Sequence, residues 1–349
     1  MKFMFAIVTL CHGGAQRMLA EITNGLSDRG HEVTIVMPEQ GVIEYEIRSH
    51  VVRVPGLDLL AHHFPEADIL VSNFYTTVQP VQEASEQGKG LHIRLALCYE
   101  PPFLDDNQSS FPSYHLTQNL LVLSDWQQDL IQLLHGVKGE IVPIGVSPFF
   151  YNMNIRSHFE GPLQITAILR RIENNFSWHR EQHYLVAEMD RVLDKHPDII
   201  INLICPPNEF AESQWLQNLR DTGKYRVLTP ADDVELRYHY NHTDIFVSSG
   251  TYDAGSLPGL EAMRCGAALA TVYSGGNREY GRHERNCLMS YRYENRLADD
   301  VNRLIEEEEL RLRLSAAGEK ASYHYVWEKS IEAFERAVQL ILARSPLHR

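Results

Sequence analysis

Residues 244–274 read DIFVSSGTYDAGSLPGLEAMRCGAALATVYS. The opening run DIFVSS is typical of a strand buried on both faces, and a polar, glycine-containing loop follows it. A helix is predicted from about Pro258, because proline is favoured in a first helical turn and LEAMRC is a good helix former. AALATVYS returns to a strand. This order of strand, glycine loop, helix and strand predicts part of a doubly wound parallel sheet.

The same order of elements opens the chain. Phe3 to Leu10 are an apolar run, AQRMLAEITNGLSDRG has apolar residues at helical spacing, and HEVTIVMP supplies another strand. Leu10 stands where a small residue would precede a signal-peptide cleavage site, so we interpret the run as a buried strand. Further apolar runs are ADILVSNF, HIRLALCY, NLLVLSD and GEIVPIG. Each is a plausible parallel strand of a first half.

The alternation restarts after a polar segment with proline and glycine, and this places a linker within residues 147–162. The second half contains LQITAILRR, DIIINLIC and YRVLTP before it reaches residues 244–274. A length of 349 residues also fits about two domains. We therefore expect two Rossmann-like α/β halves that bind ligands at the carboxyl ends of their strands.

Composition excludes several classes of function. Asp and Glu (46) outnumber Lys and Arg (32), giving a net charge of −14, which disfavours nucleic acid and anionic lipid as partners. The five cysteines are scattered without a C-x-x-C pair, which favours a reducing compartment, and hence the cytoplasm, over a disulfide framework or a zinc knuckle. No apolar run approaches the ~20 residues that span a bilayer, so we expect any membrane contact to be peripheral.

From residue 244 onward the sequence resembles GT-B glycosyltransferases, specifically the retaining glycosyltransferase family 4 (glycosyl transferases group 1). That family has an acidic residue, a glycine-rich loop ending in Leu-Pro, a second acidic residue eight positions after the first, then Ala-Met and Cys-Gly. The matching positions are Asp253, Gly255 to Pro258, Glu261, Ala262, Met263, Cys265 and Gly266. SGGNREY and NCLM are similar to its later segments, HGGAQRMLAEITNGLSDRGHEVTIV to its first loop and helix, and IVPIGVSPFF to its interdomain strand. The resemblance covers nearly the whole chain.

The resemblance implies a GT-B fold, in which two Rossmann-like domains face a central cleft. It implies an acceptor-binding domain over residues 1–155, a donor-binding domain over 156–326, and a helix over 327–349 that crosses back to the first domain. The implied activity is transfer of a sugar from a nucleotide-diphosphate-sugar donor to an acceptor hydroxyl, with retention of configuration. The acceptor would be a glycan, a lipid-linked molecule or a small molecule, as in the biosynthesis of cell-surface polysaccharides.

The resemblance also assigns the donor site. Glu261 would accept the ribose hydroxyls, and Asp253 would contact sugar hydroxyls. Backbone N–H groups of the loop from Gly255 through Ser256 to Leu257 would lie near the diphosphate or sugar, at the N-terminus of a helix whose dipole favours an anion. The alternative for Glu261 is an ordinary helix carboxylate, and for Gly255 an ordinary turn residue.

Three arginines are candidate phosphate ligands. Arg170 or Arg171 stands where the family places an Arg after the first strand of its second domain, and Arg180 stands where a Lys is expected. A guanidinium can hold phosphate oxygens bidentately. The alternative is that these are solvated arginines on a polar surface loop. The sequence has no Asp-x-Asp pair placed to hold a metal-diphosphate complex, and HREQH lacks the order of a zinc motif, so we expect no metal and no other cofactor.

In the first half, His12 precedes Gly13 and Gly14 in a turn that would admit a phosphate or a sugar closely. His12 capping the turn is an equal alternative. Glu100 stands near the position of a family histidine and would orient an acceptor hydroxyl or fix its own loop. The residues predicted to act in catalysis are Arg171, Arg180, Asp253, Glu100 and His12; those predicted to bind the donor are Gly13, Gly14, Arg170, Gly255, Ser256, Leu257 and Glu261.

Departures from the family pattern leave other functions open. Asp253 replaces the usual Glu, and Ala254 and Ser256 replace glycines of the loop. The substitutions at Ala254 and Ser256, with Tyr99 near the position of a family histidine, are compatible with a non-catalytic GT-B subunit that stabilises a partner glycosyltransferase. A sugar-nucleotide epimerase or a sugar phosphorylase on the same fold is a third possibility.

Overall fold

The structure is a computed structural model that describes residues 1–104, 106–158, 161–175 and 177–344. The chain forms two compact units, Met1–Gly145 with Val326–Arg349, and Val146–Tyr325. The segment after Gly145 is bound to the second unit: Met153 N–H donates to Asn241 (2.7 Å), and Arg156 donates to the carbonyl of Thr243 (2.7 Å). The change of unit therefore lies earlier in the chain than the predicted boundary at residue 155.

The first unit is built around a parallel sheet. Most of its strands are apolar runs, because helices cover both faces of such a sheet. Its elements in chain order are β1 (Lys2–Ala6), α1 (Gly14–Asp28), β2 (Glu32–Pro38), β3 (His50–Val54), β4 (Ile69–Ser72), α2 (Tyr75–Glu86), β5 (Leu91–Leu95), α3 (Asn107–Ser110), β6 (Leu120–Val122), α4 (Asp125–His135) and β7 (Glu140–Ile141). The strand order is β3-β2-β1-β4-β5-β6-β7. The order reverses between β1 and β4, and ligands of such sheets bind at that point.

The second unit repeats this architecture. Its elements are β8 (Gln164–Ile168), α5 (Gln182–Lys195), β9 (Ile200–Ile204), α6 (Pro207–Glu212), α7 (Gln214–Asp221), β10 (Arg226–Leu228), α8 (Asp233–Asn241), β11 (Ile245–Ser248), α9 (Leu257–Arg264), β12 (Ala268–Val272), β13 (Leu288–Ser290), α10 (Leu297–Glu306) and α11 (Glu308–Ser322). The parallel strands lie in the order β10-β9-β8-β11-β12-β13. Its reversal point is between β8 and β11. The predicted α/β class with two Rossmann-like parallel sheets is confirmed.

The last helix, α12 (Trp327–Arg344), belongs to the first unit. The ring of Phe334 stacks on that of Phe5 at 6.0 Å between centroids, and Glu335 pairs with His31 at 2.8 Å. Where α12 crosses α1, a Cβ added at Gly25 would lie 2.0 Å from the Cδ1 atom of Ile331. Gly25 is therefore required in the interior of α1 by close packing, despite its low helix propensity.

Candidate active site

A cavity of about 30 Å³ lies at the reversal point of the second sheet. Its wall includes Ile168 at the end of β8, Ser248 at the end of β11, and Arg180 from the turn before α5. The loop after β11 adds Asp253 and Ser256. A volume of this size holds about two water molecules. The cavity therefore brings three of the predicted site residues together at the edge where such sheets bind ligands.

Arg180 is the cation of this cavity. Burial lowers the pKa of Arg180, with neighbouring Arg170 adding to the decrease and Asp253 opposing it. Within the described ranges, the Arg180 guanidinium forms no hydrogen bond or ion pair through its side chain. An Arg stays protonated at neutral pH, so the cavity contains a positive charge that no anionic side chain of the described residues bonds. Such a charge favours an anionic ligand.

The other two arginines are held by carboxylates of α6. Arg170 donates through Nε to Glu209 (2.7 Å), and its terminal nitrogen pairs with the same carboxylate. Arg171 donates to Glu212 at 2.9 Å. A phosphate would have to compete with these carboxylates for Arg170 and Arg171. Arg170 and Arg171 are therefore ion-paired, whereas Arg180 has no ion pair among the described residues. Their positions in the sequence do not indicate this difference.

Asp253 fixes the predicted donor loop from inside. Its Oδ1 accepts the N–H groups of Gly255 (3.0 Å) and Ser256 (2.9 Å), two of the donors that we expected near the diphosphate. For these two N–H groups to reach a ligand, the Asp253 carboxylate must turn away from them. In this structure the carboxylate occupies the position that an anion would take at the start of α9.

The same loop is joined to the turn after β12. The hydroxyls of Ser256 and Ser274 lie 2.7 Å apart, and Tyr280 donates to the carbonyl of Ser256 at 2.7 Å. Ser256 has a φ of 53°, in the left-handed region that favours glycine, the residue usual at this position in the family. A Cβ at Gly276 would lie 2.1 Å from the carbonyl oxygen of Ala254. Gly276, the second glycine of SGGN, thus allows its own backbone to contact the backbone of Ala254.

Glu261 lies on α9, 7% exposed, and is not among the residues that line the cavity. The Tyr240 hydroxyl of α8 donates to its Oε2 at 3.3 Å. Burial, and next the Glu261 charge, raise the pKa of Tyr240 well above its ordinary value. Glu261 is therefore bonded to Tyr240 of α8 and does not itself line the Arg180 cavity. Leu257 starts α9, so the predicted start of this helix at about Pro258 is one residue late.

In the first unit, the His12–Gly14 turn is held by residues that the sequence did not identify. The His12 backbone N–H donates to Glu44 at 2.5 Å, and its ring Nδ1 lies 3.2 Å from the same oxygen. The Tyr45 hydroxyl accepts from Gly13 N–H (2.9 Å) and donates to the Gly13 carbonyl (3.1 Å). Gly14 begins α1. Glu44 and Tyr45 lie in a loop with no motif of its own, so no sequence signal was available.

Glu100 lies in the interior of the first unit, 1% exposed. Its Oε2 accepts from Arg94 at 2.7 Å and from the hydroxyl of Tyr114 at 2.6 Å. The Arg94 guanidinium is fully buried and lies 3.6 Å from the centroid of the Tyr114 ring. These contacts favour the loop-fixing alternative for Glu100. A charged residue inside the apolar run HIRLAL was the available signal, since a buried Arg requires an anion.

His179 also lines the cavity, although the sequence suggested no role for it. Burial and the adjacent Arg180 lower its pKa to about 4, so its ring is neutral at pH 7.

Across the described residues, no group of three or more His, Cys, Asp or Glu side chains is arranged to hold a metal ion. Over the same part of the chain, no helix has the length and apolar character needed to cross a membrane.

Known proteins resemble this chain in sequence and in fold. Residues 173–321 match the family described as Glycosyl transferases group 1. A putative glycosyltransferase, YtcC of Bacillus subtilis (strain 168), is 27% identical over 150 residues, which are 40% of this chain and 36% of that protein. The match thus spans about a third of the length of this curated relative.

Two solved structures share the fold over almost their whole length. Sucrose-phosphate synthase from Thermosynechococcus elongatus has a TM-score of 0.79 at 14% identity, covering 99% of this chain and 100% of that one. Anabaena HepE, solved in complex with UDP and glucose, has a TM-score of 0.79 at 15% identity, covering 97% and 99%. At these identities the likeness shows the fold. The predicted resemblance to GT-B glycosyltransferases is thereby confirmed: the chain has that fold, and its residues 173–321 match the family Glycosyl transferases group 1.

Proposed function

We propose that this chain transfers a sugar from a nucleotide-diphosphate-sugar donor to an acceptor hydroxyl, with retention of configuration. The observation that carries the proposal is the Arg180 guanidinium beside Asp253, which forms no ion pair with any residue that the structure describes. It lies at the reversal point of the sheet, in the region that matches the group 1 family. A departing diphosphate accumulates negative charge, and a fixed cation in a site of low dielectric stabilises that charge strongly. The N-terminus of α9 adds a favourable dipole.

The proposed reaction uses the leaving group as its own base. The bond from the anomeric carbon to the phosphate oxygen breaks, and the acceptor oxygen bonds to that carbon on the same face. The acceptor's proton passes to the departing phosphate oxygen, so no side chain is needed as nucleophile or base. Arg180 stabilises the diphosphate, and Asp253 contacts the sugar. Glu261 accepts hydrogen bonds from the ribose hydroxyls.

UDP-glucose is the first donor to test, because HepE was solved with UDP and glucose. We further propose a glycan or lipid-linked acceptor and a place in the synthesis of cell-surface polysaccharide. A cytoplasmic location is supported by five free thiols, of which Cys205, Cys265 and Cys287 are buried.

Replacement of Glu261 by alanine is expected to weaken nucleoside diphosphate binding by about 10- to 150-fold. The estimate follows from ~1.5–3 kcal/mol for a hydrogen bond to a charged group. Thermal-shift titration with UDP, GDP, dTDP and ADP measures the effect. Glu309→Ala, on the exposed face of α11, is the matched control. Unchanged binding by a folded Glu261→Ala protein would show that the ribose assignment is wrong.

Sugar transfer is expected to proceed at full rate in EDTA, since the charge of the leaving group is met by Arg180 and the start of α9. The check is a donor-turnover assay after chelation, followed by addition of Mg²⁺ or Mn²⁺. Activity lost on chelation and regained with either ion would contradict the proposal. Enzyme passed through a desalting column without chelator is the control.

One observation favours a second candidate, a non-catalytic subunit that stabilises a partner enzyme. The Gly255 and Ser256 N–H groups are occupied by Asp253, and the cavity is too small for a sugar. The same thermal-shift screen separates the two functions. A nucleotide that raises the melting temperature, and turnover of its sugar, support the transferase; no response to any of the four nucleotides supports the subunit.

A further inference from the structure

Three tyrosines form a stacked column on the second unit. The rings of Tyr273 and Tyr291 are 4.4 Å apart at 27°, and those of Tyr291 and Tyr293 are 5.7 Å apart at 20°. Tyr273 is half-buried, whereas Tyr291 is 51% and Tyr293 78% exposed. Rings at these distances stabilise each other in an offset stack. We name these three residues the tyrosine column.

Two hydrogen bonds donated by backbone N–H groups position the column beside β12 and β13. Tyr273 follows β12, and its N–H donates to the carbonyl of Ser290 at the end of β13 (3.0 Å). Tyr291 N–H donates to Glu294 at 2.6 Å. These bonds position the backbone at Tyr273 and Tyr291, and the rings contact one another by stacking.

Arg292, between the two exposed tyrosines, anchors the turn from its other side. Its guanidinium lies 3.5 Å from the centroid of the Tyr184 ring on α5, and its Nε donates to Glu181 at 3.3 Å. Glu181 directly follows Arg180 in the chain. The Arg292 guanidinium is thus paired with the Glu181 carboxylate. Arg292 therefore adds no net charge to the exposed faces of the column.

The column adjoins the candidate donor loop. Tyr273 is followed by Ser274, whose hydroxyl lies 2.7 Å from that of Ser256 and whose carbonyl accepts the N–H of Asp253 at 2.8 Å. Glu261, in contrast, contacts Tyr240 on α8, the helix before β11. The column therefore lies just beyond the carboxyl ends of β12 and β13, beside the sugar-facing loop, and the predicted ribose ligand lies on α9.

The exposed groups suit a neutral sugar. An aromatic face is electron-rich, and one face of a hexopyranose presents C–H groups of partial positive charge. In the described part of the chain, the hydroxyls of Tyr273, Tyr291 and Tyr293 form no hydrogen bond, so they are available to sugar hydroxyls. An exposed aromatic surface next to a candidate site is informative, because contiguous exposed apolar patches often mark ligand-binding surfaces.

We propose that the tyrosine column is a binding site for a glycan of neutral hexopyranose units, additional to the acceptor-binding domain that the resemblance implies over residues 1–155. A sugar ring stacks against the free face of Tyr293. This inference rests on the proposed glycosyl transfer for the role of the bound sugar, but binding itself is measured independently. A nucleobase is the competing occupant of an aromatic face, and the experiment separates the two.

The test is binding of the full-length protein to a microarray of neutral hexopyranose oligosaccharides, with uronic-acid and sialylated glycans alongside. Wild type is expected to bind neutral glycans, and Tyr291→Ala with Tyr293→Ala to reduce the signal at least tenfold. Tyr293→Phe, which keeps the ring, is expected to stay within about threefold of wild type. Tyr238→Ala, removing a similarly exposed tyrosine of α8, is the matched control and leaves the signal unchanged.

UDP thermal shift on the same proteins keeps this inference separate from the proposed function. Loss of glycan binding with an unchanged UDP shift supports a glycan site separate from the donor site. Absence of neutral-glycan binding by wild type, or full binding by the double variant, overturns the inference and leaves donor binding as measured. A UDP shift that disappears with the column assigns it to the nucleobase and also overturns the inference.

Discussion

Glu100→Gln is expected to lower the free energy of unfolding by about 3–5 kcal/mol, because it leaves the buried Arg94 cation without its anion. Arg94 is fully buried and Glu100 is 1% exposed, so solvent cannot replace the lost partner. Glutamine keeps the volume of the side chain, and the loss therefore reports charge rather than packing. Urea denaturation followed by circular dichroism measures the difference.

The matched control removes both charges. Replacing Arg94 with Met and Glu100 with Leu together is expected to restore stability to within about 1 kcal/mol of wild type, since apolar residues of similar volume can substitute for a buried pair. A Glu100→Gln protein that unfolds like wild type but fails to transfer sugar would instead assign this carboxylate to the acceptor, as the sequence suggested.

Arg180→Ala is expected to reduce kcat by about 10²- to 10³-fold with little change in KM. The guanidinium interacts most strongly with the diphosphate as it departs, and removal of one such stabilising group from an active site costs ~2.7–4 kcal/mol of barrier. Steady-state turnover of the donor identified by thermal shift gives both constants. Arg180→Lys keeps a positive charge and is expected to retain part of the rate.

Arg171→Ala is the comparison that gives this result its meaning. Arg171 is one of the predicted phosphate ligands, but it is paired with Glu212, and we expect its loss to change kcat less than tenfold. Equal losses for the two variants would show that the unpaired state of Arg180 has no functional significance. A raised KM with kcat unchanged would make Arg180 a residue of ground-state binding.

The sequence predicted most strands of the two sheets but missed the edge strands β3 and β13. Continuous apolar runs identify β1 and β11, because a parallel strand covered on both faces needs apolar residues at every position. β3 was missed, since HVVRV at a sheet edge is only partly buried and carries an arginine. β13 has three residues, too few for a periodic pattern.

The sequence predicted which residues belong to the candidate site and their order along the chain. It did not predict which side chains of the site form ion pairs. The spacing of Asp253 and Glu261 is local and visible in the motif. Arg170, however, meets Glu209 across 39 positions of sequence, so no local pattern distinguishes it from Arg180. The assignments of the arginines as phosphate ligands stay predictions until the variants are measured.

The position of α12 has a consequence for how the protein is made. Its first unit is discontinuous, since residues 146–325 form the other unit before the chain returns. At ribosomal rates of ~5–20 residues per second, about 10–40 s separate synthesis of the two parts. During that interval the surface of β1 and α1 that Phe334 and Ile331 later cover stays open. The continuous second unit can complete its fold on the ribosome first, and the first unit is left as the nascent-chain segment that chaperones would recognise.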